Sequence, residues 1–335
     1  MEQSPLQPTP VGAFRFNTDS SKMEYYDGNQ WVNVTSDSPE AQTGGTRGLI
    51  GGGYDSPARV NTIDYINIAT AGNGVNFGDM NVARSSRAAM ASRTRGVWGA
   101  GYPLTDAIDY VTISSTGNGA DFGNLHAQGE SPTGCSDGIR GVFMGGSYPS
   151  ASNNMQYITI AATGNAVDFG DLTYSTYGPM GCASPVRGLC AGGQAPAAST
   201  VINHITIAST GNATRFGDLS QARILGGSAS NAVRGIFAGG AGTAPYPKYA
   251  TIDYVTIATL ANAIDFGDLS SSRWENQGGM ASPIRAVFAG GATPSEVDTI
   301  DFVEIATRGN ATDFGDLQST KQGCASLSNG HGGLG

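Results

Sequence analysis

Residues 226–269 show a pattern of hydrophobic and polar positions that recurs through most of the chain. A run of small residues is followed by an apolar run that ends in a glycine pair. An alternating β-branched and aromatic segment comes next and, after a short turn, a segment that contains Phe-Gly-Asp. Period-two alternation with Gly and Asn between the segments is typical of strands joined by hairpins. The pattern therefore predicts four short strands, over residues 226–230, 234–240, 251–258 and 264–269.

Two landmarks show that this unit occurs six times. An arginine opens each apolar run, at spacings of 45 to 51 residues: Arg47, Arg95, Arg140, Arg187, Arg234 and Arg285. Phe-Gly-Asp or Phe-Gly-Asn alternates with it, beginning at Phe77, Phe122, Phe169, Phe216, Phe266 and Phe314. Four strands in about 45–50 residues is the size of one blade of a β-propeller. The repeat predicts an all-β, six-bladed propeller with four strands per blade.

Within each unit, the residue types indicate where each strand lies. Gly and Ala crowd the first segment, as in Gly-Gly-Ser-Ala-Ser at residues 226–230, which suits an innermost strand where the blades converge. We expect the Phe of Phe-Gly-Asp to pack between neighbouring blades, because a blade cannot bury its own faces alone. The Asp that follows, as at Asp79, is expected to accept backbone N–H groups at the end of its strand.

The ends of the repeat suggest how the ring closes. The first unit begins at Arg47, in its second strand, while a further small-residue run follows the last unit at residues 323–333. We expect this C-terminal run to supply the missing innermost strand of the first blade. The alternative is that residues 40–46 supply it. Closure would also remove exposed sheet edges.

The order of these segments resembles the kelch repeat over about residues 47–332. The resemblance rests on the small-residue strand, the strand ending in Gly-Gly, the aromatic strand and the aromatic anchor of the last strand. It implies a kelch-like β-propeller. Two departures are that the second unit has Ala100–Gly101 in place of the glycine pair, and that Phe stands where the kelch repeat has Trp.

Residues 1–36 differ from the repeat and predict a small N-terminal β-meander, joined by a linker at 37–46 to a propeller over 47–335. The stretch from Gly12 to Trp31 resembles a short module of phage tail-fibre and other virion proteins. The resemblance implies a bacteriophage virion structural protein that is anchored to other virion proteins through residues 1–36. A meander of this size has almost no core of its own and must dock on something. The predicted anchor residues are Phe14, Phe16, Tyr25 and Trp31.

Composition and charge exclude several partners. The net charge is −9, with 18 Lys and Arg against 27 Asp and Glu and no basic cluster, so we expect no nucleic acid. No stretch of about 20 apolar residues is present, so we expect no membrane span. The first ten residues lack the features of a signal peptide. We therefore expect synthesis in the host cytoplasm and a location in the virion.

Candidate chemistry is sparse, and we expect no enzyme activity, no cofactor and no metal. His126, His204 and His331 lie at non-equivalent positions of the repeat, so a histidine-based triad or metal site is not expected. Calcium held by the Asp-Phe-Gly-Asp carboxylates remains an alternative. The four cysteines are predicted to be free, buried thiols: Cys135, Cys182, Cys190 and Cys324.

The six strand-opening arginines allow two interpretations. We expect them to pair with Asp residues of adjacent strands, namely Asp64, Asp109, Asp253 and Asp301. The alternative is a ring of cations that binds an anion.

The loops that follow the glycine pairs differ from blade to blade, which is the usual arrangement for recognition on a rigid scaffold. Their aromatic residues either bind a partner virion protein, a host-surface glycan or a host-surface protein, or merely cap the blade ends. The function that follows is a non-enzymatic, multicopy virion subunit of a tail fibre, appendage or head decoration. A soluble kelch-type adaptor and a propeller enzyme acting on carbohydrate are the alternatives. The candidate binding residues are Tyr54, Tyr102, Tyr148, Tyr246 and Trp274.

Overall fold

The structure is a computed structural model that describes residues 9–17, 22–33, 46–147, 149–276 and 278–334. The chain divides into two compact units, Met1–Thr43 and Gly44–Gly335. The described residues are all β, with one short 3-10 helix at Gly332–Leu334 and no α-helix. The coarse prediction of an all-β chain built from four-stranded antiparallel sheets is confirmed.

The first unit contains one three-stranded antiparallel sheet in the order β1-β2-β3. Phe14 lies opposite Tyr25 and Phe16 opposite Met23, as period-two alternation requires. The turn between the second and third strands is held by the Asp27 carboxylate, which accepts the N–H groups of two following residues at 2.8 and 2.7 Å. The strands are β1 (Phe14–Asn17), β2 (Lys22–Tyr26) and β3 (Trp31–Asn33).

The second unit contains six four-stranded antiparallel sheets, together with a two-stranded hairpin. The hairpin is β5 (Tyr54–Asp55) and β6 (Ala58–Arg59). Sheet 1 contains β4 (Arg47–Gly51), β7 (Thr62–Asn67), β8 (Val75–Asp79) and β29 (Ala325–Ser328). Sheet 2 contains β9 (Ala88–Ala91), β10 (Arg95–Gly99), β11 (Thr105–Thr112) and β12 (Ala120–Gly129). Sheet 3 contains β13 (Thr133–Ser136), β14 (Arg140–Met144), β15 (Ser152–Thr159) and β16 (Val167–Thr176).

The remaining three sheets follow the same order of four consecutive strands. Sheet 4 contains β17 (Met180–Ala183), β18 (Arg187–Ala191), β19 (Val201–Thr206) and β20 (Thr214–Asp218). Sheet 5 contains β21 (Gly227–Ser230), β22 (Arg234–Ala238), β23 (Thr251–Thr256) and β24 (Ile264–Asp268). Sheet 6 contains β25 (Met280–Ala281), β26 (Arg285–Ala289), β27 (Thr299–Glu304) and β28 (Thr312–Asp316).

Sheet 1 takes its first strand from the other end of the chain. Strand β29 pairs with β4, with Ala325 opposite Gly51 and Ser328 opposite Gly48. The C-terminal run therefore fills the place that the sequence assigns to it. The competing segment, residues 40–46, lies outside the described residues except for Thr46.

The hydrophobic core lies between successive sheets and not within one sheet. Six clusters of buried residues each combine two sheets, in the pairs 1–2, 2–3, 3–4, 4–5, 5–6 and 6–1. The Phe of each Phe-Gly-Asp or Phe-Gly-Asn belongs to such a cluster, as expected. Its ring meets the edge of an aromatic ring on the third strand, for example Tyr110 at 5.8 Å from Phe122.

The first strands of the six sheets contact one another and line a common cavity of about 60 Å³. Small side chains are required because backbones approach closely here. Serine hydroxyls on one strand donate to carbonyl groups on the next, as from Ser136 to Ala91 O at 2.8 Å and from Ser230 to Ala183 O at 2.7 Å. At one end, the ring of His331 lies 2.8 Å from Ala91 O.

At the segment that leads into each first strand, six backbone hydrogen bonds form a closed cycle. Each donor is the N–H of a residue with φ between 53° and 64°, and each acceptor is the carbonyl of the equivalent residue beside the preceding sheet. The six distances lie between 2.7 and 2.9 Å. We call this set the axial ring; its members are Ser86, Ser131, Gly178, Leu225, Glu275 and Gly323.

A second cyclic set of contacts explains Phe-Gly-Asp. The backbone N–H of Asp79 donates to the Asn118 side chain of the next sheet at 3.0 Å, and five equivalent bonds follow around the chain. A side chain at Gly78 would collide with the carbonyl oxygen of Gly117. The Asp therefore contributes mainly its N–H, whereas we expected its carboxylate to accept backbone N–H groups.

The predicted pairing of the strand-opening arginines with Asp is wrong. Arg47, for example, donates to the carbonyl of Ile113 in the next sheet at 2.8 Å and lies over the Tyr65 ring at 4.9 Å. Equivalent bonds link every sheet to the next. The reason is register. Asp64 lies opposite Ile50, three residues along the strand from Arg47, or about 10 Å away.

Candidate functional site

Two of the predicted binding residues, Tyr54 and Tyr102, share one cation. The Arg59 guanidinium carbon lies 4.1 Å from the centre of the Tyr102 ring and 5.7 Å from that of Tyr54. Tyr102 is 41% exposed, whereas Tyr54 is half-buried. Sequence reasoning missed Arg59. The short Asp-Ser-Pro-Ala turn could have revealed it, because such a hairpin places Arg59 directly opposite Tyr54.

Two more predicted residues, Tyr246 and Trp274, stack on each other. Their ring centres are 5.8 Å apart and the planes are inclined by 29°. The Lys248 ammonium lies 5.9 Å from the Trp274 ring centre, within the range of a cation–π contact. Tyr148, the fifth predicted binding residue, lies outside the described residues.

The axial ring positions both aromatic clusters. Trp274 directly precedes the ring residue Glu275. Tyr102 forms a β-bridge with Ser85, which precedes the ring residue Ser86, and Tyr54 forms one with Gln322, which precedes Gly323. The loops that carry the aromatic residues are therefore attached to the same six-residue cycle.

Acidic residues connect the two clusters electrostatically. Burial raises the pKa of Glu275, and the neighbouring charges of Glu296 and Glu130 raise it further, while Lys248 opposes the shift. Burial also raises the pKa of Glu130, and Arg59 opposes it. Carboxylates, cations and exposed aromatic rings therefore occur together beside the axial ring. We call this surface the loop face; it comprises Glu130, Glu275, Arg59, Lys248, Tyr54, Tyr102, Tyr246 and Trp274.

Such a mixture suits polar ligands with flat apolar faces. Aromatic rings stack on sugar rings and anchor protein interfaces, and carboxylates accept hydroxyl groups.

Buried ion pairs account for the aspartates of the third strands. Asp253 bonds Arg223 at 2.7 Å, Asp301 bonds Arg273 at 2.9 Å, and Asp64 bonds Lys321 at 2.8 Å. In sheet 2 Asp109 lies 3.4 Å from Arg87. Sequence reasoning missed these cations because they lie in irregular links between sheets.

The N-terminal sheet has two different faces. Phe14, Phe16, Met23 and Tyr25 share one face, and their exposed fractions are 67%, 58%, 47% and 38%. Trp31, the fourth predicted anchor residue, lies on the opposite face beneath Arg15, at 4.2 Å.

The opposite face of this sheet holds a polar network. Arg15 pairs with Glu24 at 2.8 Å, and Asn17 donates to the same carboxylate at 2.9 Å. These two contacts lower the pKa of Glu24. The apolar face instead presents the four exposed side chains named above.

The four cysteines and two of the three histidines serve packing, whereas His126 is exposed. His204 replaces the third-strand aromatic residue and meets Phe216 edge-on at 6.0 Å, while His331 contacts Ala91 and Ser136. All four cysteines are free and buried, as predicted, and burial raises the pKa of Cys182 and of Cys190 to about 12. Within the described ranges, no group of three or more His, Cys, Asp or Glu residues could hold a metal ion.

No protein-family model and no curated protein matches this chain. In the part of the chain that the structure describes, no helix has the length and apolar character needed to cross a membrane.

Proposed function

We propose that the six four-stranded sheets are the blades of one closed, kelch-like β-propeller. Three cyclic sets of contacts support this: the axial ring, the intersheet clusters and the strand-opening arginines. Each set returns from sheet 6 to sheet 1. Low-dose electron microscopy of the purified chain tests the proposal. A ring with six lobes is expected, and an open arc or another number of lobes would overturn it.

We further propose that the protein is a non-enzymatic structural subunit of a bacteriophage particle, in a tail fibre, an appendage or a head decoration. The observation that carries this proposal is the apolar face of the N-terminal sheet. Phe14, Phe16, Met23 and Tyr25 are exposed on a sheet too small to have a core. A multicopy neighbour in a particle would cover them, in line with the resemblance of residues 12–31 to a virion module.

The loop face would then bind a partner virion protein or a host-surface glycan or protein. Exposed Tyr102 and Tyr246, the stacked Trp274 and the cations beside them support this role. The rigid cycle beneath these loops limits the conformational entropy that binding would remove.

Mass spectrometry of purified particles, combined with variants, tests the virion proposal. The wild-type chain is expected in particles, and Phe14→Ser combined with Phe16→Ser is expected to reduce its incorporation at least tenfold. Val167→Ser is the matched control, since Val167 is 51% exposed but lies in sheet 3. Absence of the wild-type chain from particles would overturn the proposal and favour a cellular adaptor.

The binding role of the loop face is tested separately with the full chain on host cells. Trp274→Ala and Tyr102→Ala are each expected to weaken adsorption by tenfold or more, whereas Val167→Ser leaves it unchanged. Equal adsorption by all variants would mean that these aromatic residues only cap the ends of the sheets.

A further inference from the structure

In four of the six sheets, a cationic side chain occupies a space between the second and third strands. It comes from the segment that precedes the first strand of the same sheet. Sheet 5 shows the arrangement most fully. The guanidinium of Arg223 donates to Thr251 O at 2.7 Å, to Phe237 O at 3.3 Å and to the Asp253 carboxylate at 2.7 Å. The equivalent cations are Arg84, Arg273 and Lys321 in sheets 2, 6 and 1.

Sheet 4 lacks the cation and fills the space differently. Thr176 stands where Arg223 does, two residues before the axial ring, and Asn203 stands where Asp253 does. The Tyr174 hydroxyl donates to Gly192 O at 2.5 Å and lies 3.5 Å from Val201 O. These carbonyls correspond to Gly239 and Thr251, so the hydroxyl occupies the place of a guanidinium nitrogen.

Sheet 3 has neither substitute. Gly129 stands at the position of the cation, Ala127 at that of Tyr174, and Gln156 at that of Asp253. A cavity of about 240 Å³ lies there, lined by Phe143, Gly145, Asn154 and Gln156 among others. Among the described residues, no side chain donates to the carbonyl oxygen of Gly145, which corresponds to Gly239.

The cavity can be reached from the surface and contains a carboxylate. His126, Ala127 and Gln128 are exposed and form part of its wall. Glu130, which is half-buried, also lines it and supplies a negative charge. Gln156 Oε1 accepts the backbone N–H of His126 at 2.7 Å, as the Asp253 carboxylate accepts that of Ser220, so the cavity wall is held in the same shape.

We propose that this cavity is a binding site for a guanidinium group on an alkyl chain, an external arginine side chain or a free arginine-like molecule. The external group would take the place that Arg223 takes in sheet 5. Its planar N–H donors would bond the carbonyls of Gly145 and Asn154, and Glu130 would balance its charge. This site shares Glu130 with the loop face, but the described residues that line it include none of the loop-face aromatic residues, and it does not depend on the virion proposal.

Calorimetric and NMR titration of the full chain with blocked arginine (N-acetyl-arginine methylamide) tests the site. We expect saturable 1:1 binding with a Kd of ~1 mM or tighter, the range for one small polar group. Blocked citrulline, a neutral analogue of the same shape, is expected to bind at least tenfold more weakly, as is blocked lysine. Equal binding of all three ligands would overturn the proposal, as would no binding of arginine.

Two variants that fill the cavity locate the site. Ala127→Tyr copies the Tyr174 arrangement, and Gly129→Arg combined with Gln156→Asp restores the internal pair. A Cβ atom at position 129 would meet only Ser147 O, at 3.7 Å, so the backbone there accepts a side chain. Each variant is expected to abolish binding, and unchanged binding in a folded variant would overturn the assignment.

Emptying the equivalent space in sheet 4 is the matched gain-of-function control. Tyr174→Ala, Thr176→Gly and Tyr177→Glu together give sheet 4 the residues of the sheet 3 cavity, and this triple variant is expected to create a second site and raise the stoichiometry from one to two. Comparison of free L-arginine with the blocked form and with an arginine-containing peptide identifies the source. Tighter binding of free arginine indicates a small molecule, and tighter binding of the peptide indicates a partner's side chain; either result supports the site.

Discussion

Sheets 4 and 5 solve the same packing problem with different chemistry. Sheet 5 buries Arg223 against Asp253, and both side chains are 0% exposed. Sheet 4 has Thr176 and Asn203 at the same positions and uses the Tyr174 hydroxyl. Across the six sheets the cation and the carboxylate are present together or absent together. The pair therefore acts as one unit, since either member alone would leave an uncompensated buried charge.

The largest effect is expected when one member of the buried Arg223–Asp253 ion pair is removed. Asp253→Ala leaves Arg223 buried without its counter-charge and is expected to destabilise the chain by about 3–5 kcal/mol. Urea unfolding monitored by circular dichroism measures the loss. Asn203→Ala in sheet 4 is the control and is expected to cost about 1–2 kcal/mol, because it removes a neutral acceptor. Similar losses in both variants would contradict the distinction.

The stability of the protein is expected to depend on pH through His331. This residue lies between sheet 2, which has a buried ion pair, and sheet 3, whose described residues form none. His331 contacts Ala91 of sheet 2 and Ser136 of sheet 3, and burial lowers its pKa from 6.5 to about 4. Between these values the unfolded chain takes up a proton that the folded chain does not. The contribution of neutral His331 to stability is therefore fully present above pH 6.5, and the free energy of unfolding is expected to fall by roughly 3 kcal/mol toward pH 4.

The His331 contribution is isolated by comparing unfolding at pH 7 and pH 4.5. His331→Gln is expected to flatten this part of the profile, because glutamine does not titrate. Leu334→Ala, a change in the same tail, is expected to lower stability equally at both pH values. An unchanged slope in His331→Gln would show that another group carries the effect.

The next variant replaces the buried ion pair of sheet 5 with the neutral side chains that sheet 4 has at the same positions. Gln221→Tyr, Arg223→Thr and Asp253→Asn together reproduce the sheet 4 arrangement. The triple variant is expected to lose only about 1 kcal/mol, far less than Asp253→Ala, since no charge is left unpaired. Thermal and urea unfolding measure both. A loss equal to that of Asp253→Ala would mean that the two sheets are not interchangeable.

An exposed ion pair provides the smallest expected effect. Arg215 and Asp218 are 2.7 Å apart, but the arginine side chain is 60% exposed. Arg215→Ala is expected to change the free energy of unfolding by about 0.3 kcal/mol, because solvent screens such pairs. Urea unfolding in low and high salt is the measurement, and a loss above 1 kcal/mol would show that burial does not decide the strength of these pairs.

The repeated strands could be predicted because their pattern is local. Alternation and glycine position define the third strands, and the spacing of 45 to 51 residues identifies their equivalents. The C-terminal strand could be assigned because residues 323–333 have the composition of a first strand.

Contacts between distant segments could not be predicted in the same way. Arg223 and Lys321 lie in links without periodicity, so nothing local connects them with Asp253 or Asp64. Their position two residues before the axial ring is a repeat that an internal alignment could have found. The anchor role of Phe14, Phe16, Tyr25 and Trp31 stays a prediction, but the sequence did not indicate which face of the sheet each side chain takes. A four-residue turn after Tyr26 sets a register that places Trp31 on the other face.

The pairing of Ala325–Ser328 with Arg47–Gly51 has a consequence for synthesis. The ribosome completes residues 47–79 about 250 residues before it reaches Ala325. At ~5–20 residues per second, this delay lasts about 10–50 s. During that time the edge of β4 is without its final neighbour and can accept a strand from another nascent chain. Translation speed and chaperone supply should therefore influence the yield of folded protein more than the stability of the finished molecule suggests.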